Sequence, residues 1–469
     1  ELLPMKKTSL TRRAFLAAAA SVAGGCAAKA NTAKVVPGKI SPNETVTIGL
    51  IGLGGRCKNM IDDSEGLNDL RIAAICDCFR PRVDAFMRAM GEAAGWRGYV
   101  DLREMIDKEK LDGVMVETTT HARAWVTCHA MMAGLDVYIE KPMSLSIAEG
   151  REMIEVARKY KRVTQVGTQQ RSIALNNWAS DLVKNGAIGK VHTVLAPNFI
   201  GPMRWEPKPE EEMPKGGDPG WWDVWTNQAP LRPYHRDIHR GWATWWDYDG
   251  GGLSFGVTGW GTHSYDQIQR GLGTDETGPV EITLEEPVRD LPTGKYEERT
   301  ISEDETGAPY YQMPRNTVGP RAKVRMKYAN GVELRLELDA DWGPGLGCIF
   351  IGDNGRIEIN RDRISSDPPE LVQGSARPPY LQVQETQPHI ADWIQCIKTR
   401  EKCTADIEYG QRSTTLCYLV NIVRDVGRVG ETLQWDPGAE RFTNCDEANA
   451  MLARPRREGY ELPHKLKKA

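Results

Sequence analysis

Val46-Thr47-Ile48-Gly49-Leu50-Ile51-Gly52-Leu53-Gly54-Gly55-Arg56 is an apolar strand that runs straight into a glycine-rich turn. A strand, then glycines, then the start of a helix aims backbone amides and a helix N-terminus at a pyrophosphate. Gly52, Gly54, Gly55 and Arg56 are the candidate contacts. The third glycine of that fingerprint is replaced by Cys57, so the turn has to be weighed together with its neighbours. A second strand, Arg71 to Cys76, ends at Asp77, about where a carboxylate would accept hydrogen bonds from an adenosine ribose. Such a carboxylate repels a 2′-phosphate and favours NAD over NADP, while Arg80 and Arg82 keep NADP open. A helix cap ahead of Pro81 is the competing reading of Asp77.

The same edge collects further polar groups. A strand from Leu111 to Val116 ends in Glu117-Thr118-Thr119-Thr120-His121, which makes Thr118 and His121 candidate cofactor contacts. The strand from Val137 to Ile139 ends in Glu140-Lys141-Pro142, which adds Glu140 and Lys141 to the candidate cofactor contacts. Pro142 cannot donate to a sheet ladder, so the strand stops there. Lys141 then projects from the carboxyl edge, where ligands bind in open α/β sheets. Ser146 and Glu149 form a capping box for the next helix. Val163 to Val166 leads to Gly167-Thr168-Gln169-Gln170-Arg171 and adds Gln170. Strand and helix alternate with the spacing of a doubly wound parallel sheet, an α/β domain over residues 45–170.

After about residue 175, strand-like runs follow one another with few helices between them. This predicts an α+β second domain, 171–430, with a large and mostly antiparallel sheet, and a C-terminal tail, 431–469, whose basic end lies on the surface. Trp205, Trp221, Trp222, Trp225, Trp242, Trp245, Trp246 and Trp260 crowd one Pro- and Gly-rich stretch. Tryptophan faces stack on the C–H face of a sugar ring; each one taken singly is assigned to packing of a loop-rich region or an oligomer interface, with one or two expected to meet substrate. Arg171, Tyr234, His239, Trp245 and Asp247 are the candidate substrate contacts.

At 469 residues, with 60 basic and 64 acidic side chains, the chain can build two cores and offers no basic block for nucleic acid. The ten cysteines show no paired Cys-x-x-Cys spacing, and no metal site is expected. Thr11-Arg12-Arg13-Ala14-Phe15-Leu16, followed by a short apolar stretch, reads as a twin-arginine signal over 1–30. Ala28-Lys29-Ala30 offers a cleavage site, Cys26 a weaker lipoprotein site, and 31–44 a linker. These stretches predict export in the folded state, with no membrane span beyond the signal.

Taken together, the glycine turn, Asp77, Glu140-Lys141-Pro142 and the segment from Gly250-Gly251-Gly252 to Asp266 resemble the glucose–fructose oxidoreductase/inositol dehydrogenase (Gfo/Idh/MocA) family. The resemblance implies an N-terminal Rossmann domain binding NAD(P). It also implies a C-terminal α/β domain whose sheet supports the substrate and often a homo-oligomer. It places Lys141 beside the nicotinamide and the substrate hydroxyl, and gives His263 a share in proton transfer. Family members that oxidise simple polyols often carry Asp four residues before that histidine. Here the position is Gly259, which argues against plain inositol oxidation. The expectation is an exported oxidoreductase acting on a sugar or glycoside hydroxyl, with tightly retained NAD. One alternative is an NAD-dependent, redox-neutral glycoside hydrolase, and another is an inactive sugar-binding protein.

Overall fold

The computed structural model describes residues 44–253, 255–292, 318–338, 345–361, 363–372 and 388–462, with two short strands at 302–303 and 309–310. The twin-arginine stretch, the Ala28–Ala30 site and Cys26 lie outside the described residues. No helix among the described residues is long and apolar enough to cross a membrane.

Six strands, β1 (Val46–Ile51), β2 (Leu70–Cys76), β3 (Arg97–Tyr99), β4 (Gly113–Val116), β5 (Asp136–Ile139) and β6 (Thr164–Val166), form one sheet in the order 3-2-1-4-5-6. All its pairings are parallel. Every residue of β1, β4, β5 and β6 is buried, because helices cover both faces of a parallel sheet and leave no polar side. The strand order reverses between β1 and β4, so the binding crevice opens outside their carboxyl ends. β3 is three residues long with only Tyr99 buried, too short to leave an apolar run in the sequence.

The second sheet has nine strands. In spatial order they are Arg363–Asp367, Gly355–Asn360, Cys348–Gly352, Val191–Pro197, Glu333–Leu338, Val324–Tyr328, Pro279–Leu284, Thr432–Asp436 and Arg441–Phe442. One pairing, Val191–Pro197 with Glu333–Leu338, is parallel; the other pairings are antiparallel. Val324, Met326 and Tyr328 face a core shared with Tyr265, Ile268, Leu419 and Val423 of two long helices, Trp260–Leu272 and Ile407–Val426. Between them, Arg325 faces outward and pairs with Glu285 and Glu333 across the strands.

The stretch expected as a tail from residue 431 instead supplies the last two strands of this sheet. The basic end is built in as well. Arg456 pairs with Glu149 at 2.6 Å, Arg457 with Asp223 at 2.6 Å, and Leu462 sits in the core of the N-terminal domain. Half of the expected capping box forms. Ser146 Oγ accepts from Glu149 N, whereas the Glu149 carboxylate turns to Leu145 N and Arg456.

Candidate active site

The glycine turn owes its shape to one backbone position. Gly52 has φ +92°, and a Cβ there would lie 2.7 Å from the Thr118 amide nitrogen. A side chain is excluded because the turn after β1 lies directly against the end of β4. Gly54 caps the helix Gly55–Asp63 without a side-chain cap, and a Cβ on it would meet only Arg82, at 3.7 Å. That open ground before a helix N-terminus suits an anionic group. Asp77 accepts from Leu53 N and Phe79 N, both at 2.9 Å, which locks its carboxylate beside the turn. A cavity of about 600 Å³ is lined by Gly52–Arg56, Asp77 and Glu117–Thr119. In its wall, Thr118 Oγ1 and both carboxyl oxygens of Glu117 are buried with no hydrogen-bond partner among the described residues. A long groove with an anion seat, a ribose-height carboxylate and orphaned polar atoms fits a dinucleotide.

The far wall of this cavity is the tryptophan-rich stretch. Trp221, Trp225, Trp242 and His239 line it, together with Asp218. Phe79, two residues after Asp77, packs on Trp221 with ring centroids 4.6 Å apart, and Arg80 reaches Asp218 at 3.3 Å. His121 Nε2 donates to the Trp225 carbonyl at 2.8 Å. Trp221, Trp222, Trp225, Tyr234, Ile238 and Tyr248 form an apolar cluster of their own, with Cys78 and Phe79 packed against it. The cluster lies over the dinucleotide groove as a roof.

Lys141 is reached through Arg56. Arg56 Nε donates to Glu140 Oε1 at 2.6 Å, and the other carboxylate oxygen of Glu140 accepts from Lys141 N at 2.9 Å. Burial alone would raise the Glu140 pKa, yet Arg56 and Lys141 hold it below the usual carboxylate range. Lys141 Nζ donates to the carbonyl of Gly259 at 2.8 Å, at the residue that caps the helix Trp260–Leu272. Burial pushes the ammonium down to about 8, against the opposing pull of Glu140 and Asp249. His263, on the first turn of that helix, is buried with Nδ1 unpartnered. Burial, and then the charge of Lys141, hold its pKa well below the ordinary value. Asp249 is fully buried; Thr258 Oγ1 donates to one of its oxygens and the other has no partner.

Residues 46–168 match the NAD-binding Rossmann fold of the Gfo/Idh/MocA oxidoreductases, and residues 181–299 and 293–462 match the C-terminal α/β domain of the same oxidoreductase family. The chain belongs to the Gfo/Idh/MocA family. As a member it is an oxidoreductase-family protein that binds NAD through its N-terminal domain. Among curated relatives, the myo-inositol 2-dehydrogenase of Thermotoga maritima is 31% identical over 150 residues, 31% of this chain and 43% of that one. The α-N-acetylgalactosaminidase of Shewanella oneidensis is 25% identical over 230 residues, 43% of this chain and 48% of that one. The chain thus spans about half the length of the curated relatives it matches, or less. In fold it is similar to the WlbA dehydrogenase of Bordetella pertussis in complex with NADH and UDP-GlcNAcA (TM-score 0.56, 15% identity, 84% of this chain and 99% of that chain). It is similar also to the aldose-aldose oxidoreductase of Caulobacter crescentus complexed with glycerol (TM-score 0.55, 18% identity, 83% and 100%).

Several candidate contacts of this Gfo/Idh/MocA protein sit elsewhere than the sequence suggests. Arg171 is taken up by acidic partners. It is buried in a two-oxygen pair with Asp266 (2.9 and 2.8 Å) and a further bond to Asp275 at 2.6 Å. His121 is consumed by the roof, and Gln170 Nε2 by the carbonyls of Leu346 and His263. Tyr234 bonds His239, Trp245 Nε1 donates to Asp237 O, and Asp247 pairs with Arg232. The tryptophan-rich stretch therefore supplies a wall of the cavity, and these side chains bond partners within that same stretch. The family's Asp has no room at position 259, where a Cβ would lie 2.0 Å from the Leu253 carbonyl oxygen. Asp249, ten residues earlier, supplies a buried carboxylate whose charge reaches Lys141. Its only sequence signal is an acidic residue immediately before three glycines. Glu117 belongs to the strand end expected to line this edge, but only the structure shows its carboxyl buried and unpartnered among the described residues.

Proposed function

We propose that this protein oxidises a hydroxyl of a sugar or glycoside, with NAD as hydride acceptor and Lys141 as the acid/base. The observation that carries this reading is the amine of Lys141. It is buried, oriented by the Gly259 carbonyl at 2.8 Å, and poised near pH 8. A base near neutrality is suited to taking the hydroxyl proton as hydride leaves the carbon. In this reading Glu140 and Asp249 keep the amine in place and moderate its loss of charge. His263, neutral and with Nδ1 free, bonds the substrate hydroxyl or its neighbour. Gly52, Gly54, Gly55 and Arg56 hold the pyrophosphate, Asp77 the adenosine ribose, and Thr118 the nicotinamide half. Bound NAD supplies the hydride acceptor; binding, orientation and proton movement come from the chain.

A second reading is supported by the roof. A groove closed by Trp221, Trp225 and Trp242 favours retention of the dinucleotide. A retained dinucleotide suits a redox-neutral cycle in which a sugar hydroxyl is oxidised, an aglycone eliminated, water added and the ketone reduced again. An α-N-acetylgalactosaminidase among the relatives agrees with it. Export on the twin-arginine stretch, which we also propose, would make such retention a requirement. The outward face around Arg325 and Glu285 is the surface through which we propose that copies associate.

The test is a panel of free sugars and aryl glycosides, run with and without added NAD. NADH accumulating with free sugars supports the dehydrogenase. Aglycone release without NADH and without added NAD supports the hydrolase. Neither signal, from protein that binds dinucleotide and sugar, overturns both.

A further inference from the structure

Glu117 follows β4, at the strand-order reversal where the crevice opens. It is 8% exposed, it belongs to the lining of the dinucleotide cavity, and neither of its oxygens has a hydrogen-bond partner among the described residues. A Cβ on Gly52 would lie 2.8 Å from the Glu117 carbonyl carbon, so the residue stands directly beside the glycine turn.

The groups around it leave this carboxyl uncompensated. Arg56, on the helix after the turn, is engaged by Glu140 at 2.6 Å. Arg123, on the helix Thr120–Met132, donates to the carbonyls of Pro142 and Thr118. Glu140, at the end of β5, brings a like charge, and Cys57 and Tyr138 complete the ionisable neighbours. Burial first, and then Glu140, raise the Glu117 pKa to about 8, with Arg56 and Arg123 opposing. A carboxyl in this setting holds its proton at neutral pH, because an ionised oxygen without donors is costly to bury.

We propose that Glu117 carries a proton whose occupancy follows the oxidation state of the bound dinucleotide: carboxylate when the cavity it lines holds the cationic-ring form NAD+, carboxylic acid when it holds the neutral-ring form NADH. The proposal rests on dinucleotide binding in this cavity and is independent of which hydroxyl is oxidised. The balance closes. Alcohol oxidation removes a hydride and a proton from the substrate. The hydride goes to the dinucleotide; Lys141 takes the substrate proton and passes it to solvent, and Glu117 takes one proton up from solvent as the ring loses its charge, so the bound step releases no net proton.

The sign follows from linkage. A group protonated in the free protein and ionised in the NAD+ complex releases a proton on binding, so NAD+ affinity increases with pH until the free carboxyl is itself ionised. The experiment titrates dinucleotide-free protein with NAD+ and with NADH by calorimetry, in two buffers of different ionisation enthalpy, between about pH 6 and 9. The expected result near neutral pH is close to one proton released per NAD+ bound, and none for NADH. Below about pH 8, NAD+ affinity should rise about tenfold per pH unit while NADH affinity stays flat; above it NAD+ affinity levels off and NADH affinity falls. In Glu117→Gln, of nearly the same shape, both the proton release and the pH dependence should vanish. Wild-type protein that binds NAD+ without releasing a proton, or a release that persists in Glu117→Gln, overturns the proposal. Failure of the wild type to bind either nucleotide overturns the cavity assignment on which it rests.

Discussion

Lys141 Nζ donates a hydrogen bond to the carbonyl of Gly259, 118 residues away in the chain and 2.8 Å away in space. The contact joins the end of a strand in the parallel sheet to the first turn of a helix lying on the other sheet, and brings His263 with it. Replacing Lys141 with Ala is expected to lower turnover by ~10²-fold or more, the low end of a general acid/base contribution. NAD affinity should stay close to wild type, because Lys141 is outside the lining of the dinucleotide cavity. Single-turnover kinetics with parallel binding titrations checks both halves; near-wild-type turnover would remove Lys141 from the chemistry.

The pH profile follows from the same amine. With its pKa pushed down to about 8 by burial, Lys141 acts as a base only when neutral. kcat/KM for oxidation should therefore rise about tenfold per unit toward pH 8 and level off above it. Glu117 titrates in the same range in the free protein, so the profile is measured in Glu117→Gln as well. The limb should persist there. A limb that disappears in that variant would assign it to Glu117.

Asp77 accepts from Leu53 N and Phe79 N and still has lone pairs facing the cavity. Asp77→Ala is expected to weaken NAD by about ten- to a hundredfold, the scale of a hydrogen bond to a charged group. NADP should be weakened less, because a repulsive charge goes with it. Fluorescence titration with both nucleotides decides the matter. An unchanged ratio would place the selectivity on Arg82, which donates to Leu53 O at 3.3 Å.

The roof makes a kinetic statement. Trp221 packs on Phe79 at 4.6 Å and lines the groove, so Trp221→Ala opens the wall over the adenosine end. Affinity differences between related complexes are mostly differences in off-rate. The dissociation rate of NADH is expected to increase about tenfold or more with a smaller change in association. Stopped-flow displacement measures it, and an unchanged off-rate would make the roof a packing feature only.

Arg171 offers a control for a residue expected at the substrate and found in the core. Its bonds to Asp266 are buried and the one to Asp275 is partly so. Arg171→Ala leaves the Asp266 carboxylate without its cation, a loss on the order of 3–5 kcal/mol. Denaturant unfolding should show that loss. KM measured on whatever folded fraction survives should change little; a selective increase in KM with stability intact would return Arg171 to the substrate site.

Much of this protein is local. β1, β4 and β5 are legible because a strand buried on both faces must be apolar at every position, and Gly52 because its turn excludes a Cβ. The alternation of Val324, Arg325, Met326 and Lys327 announces a half-buried strand by itself. The glycine turn, Asp77 and Glu140-Lys141-Pro142 therefore point to a dinucleotide domain before any coordinates are known. What the tertiary structure alone decided is the fate of each polar side chain. Arg171 reads as a ligand until Asp266, 95 residues on, is found against it. His121 reads as a cofactor contact until Trp225, 104 residues on, takes its ring nitrogen. Glu117 reads as one more polar group at a strand end until burial removes its water and no donor among the described residues replaces it. Backbone conformation answers to neighbours in sequence. The free energy of a buried charge answers to partners in space, and those are set only when the chain has closed.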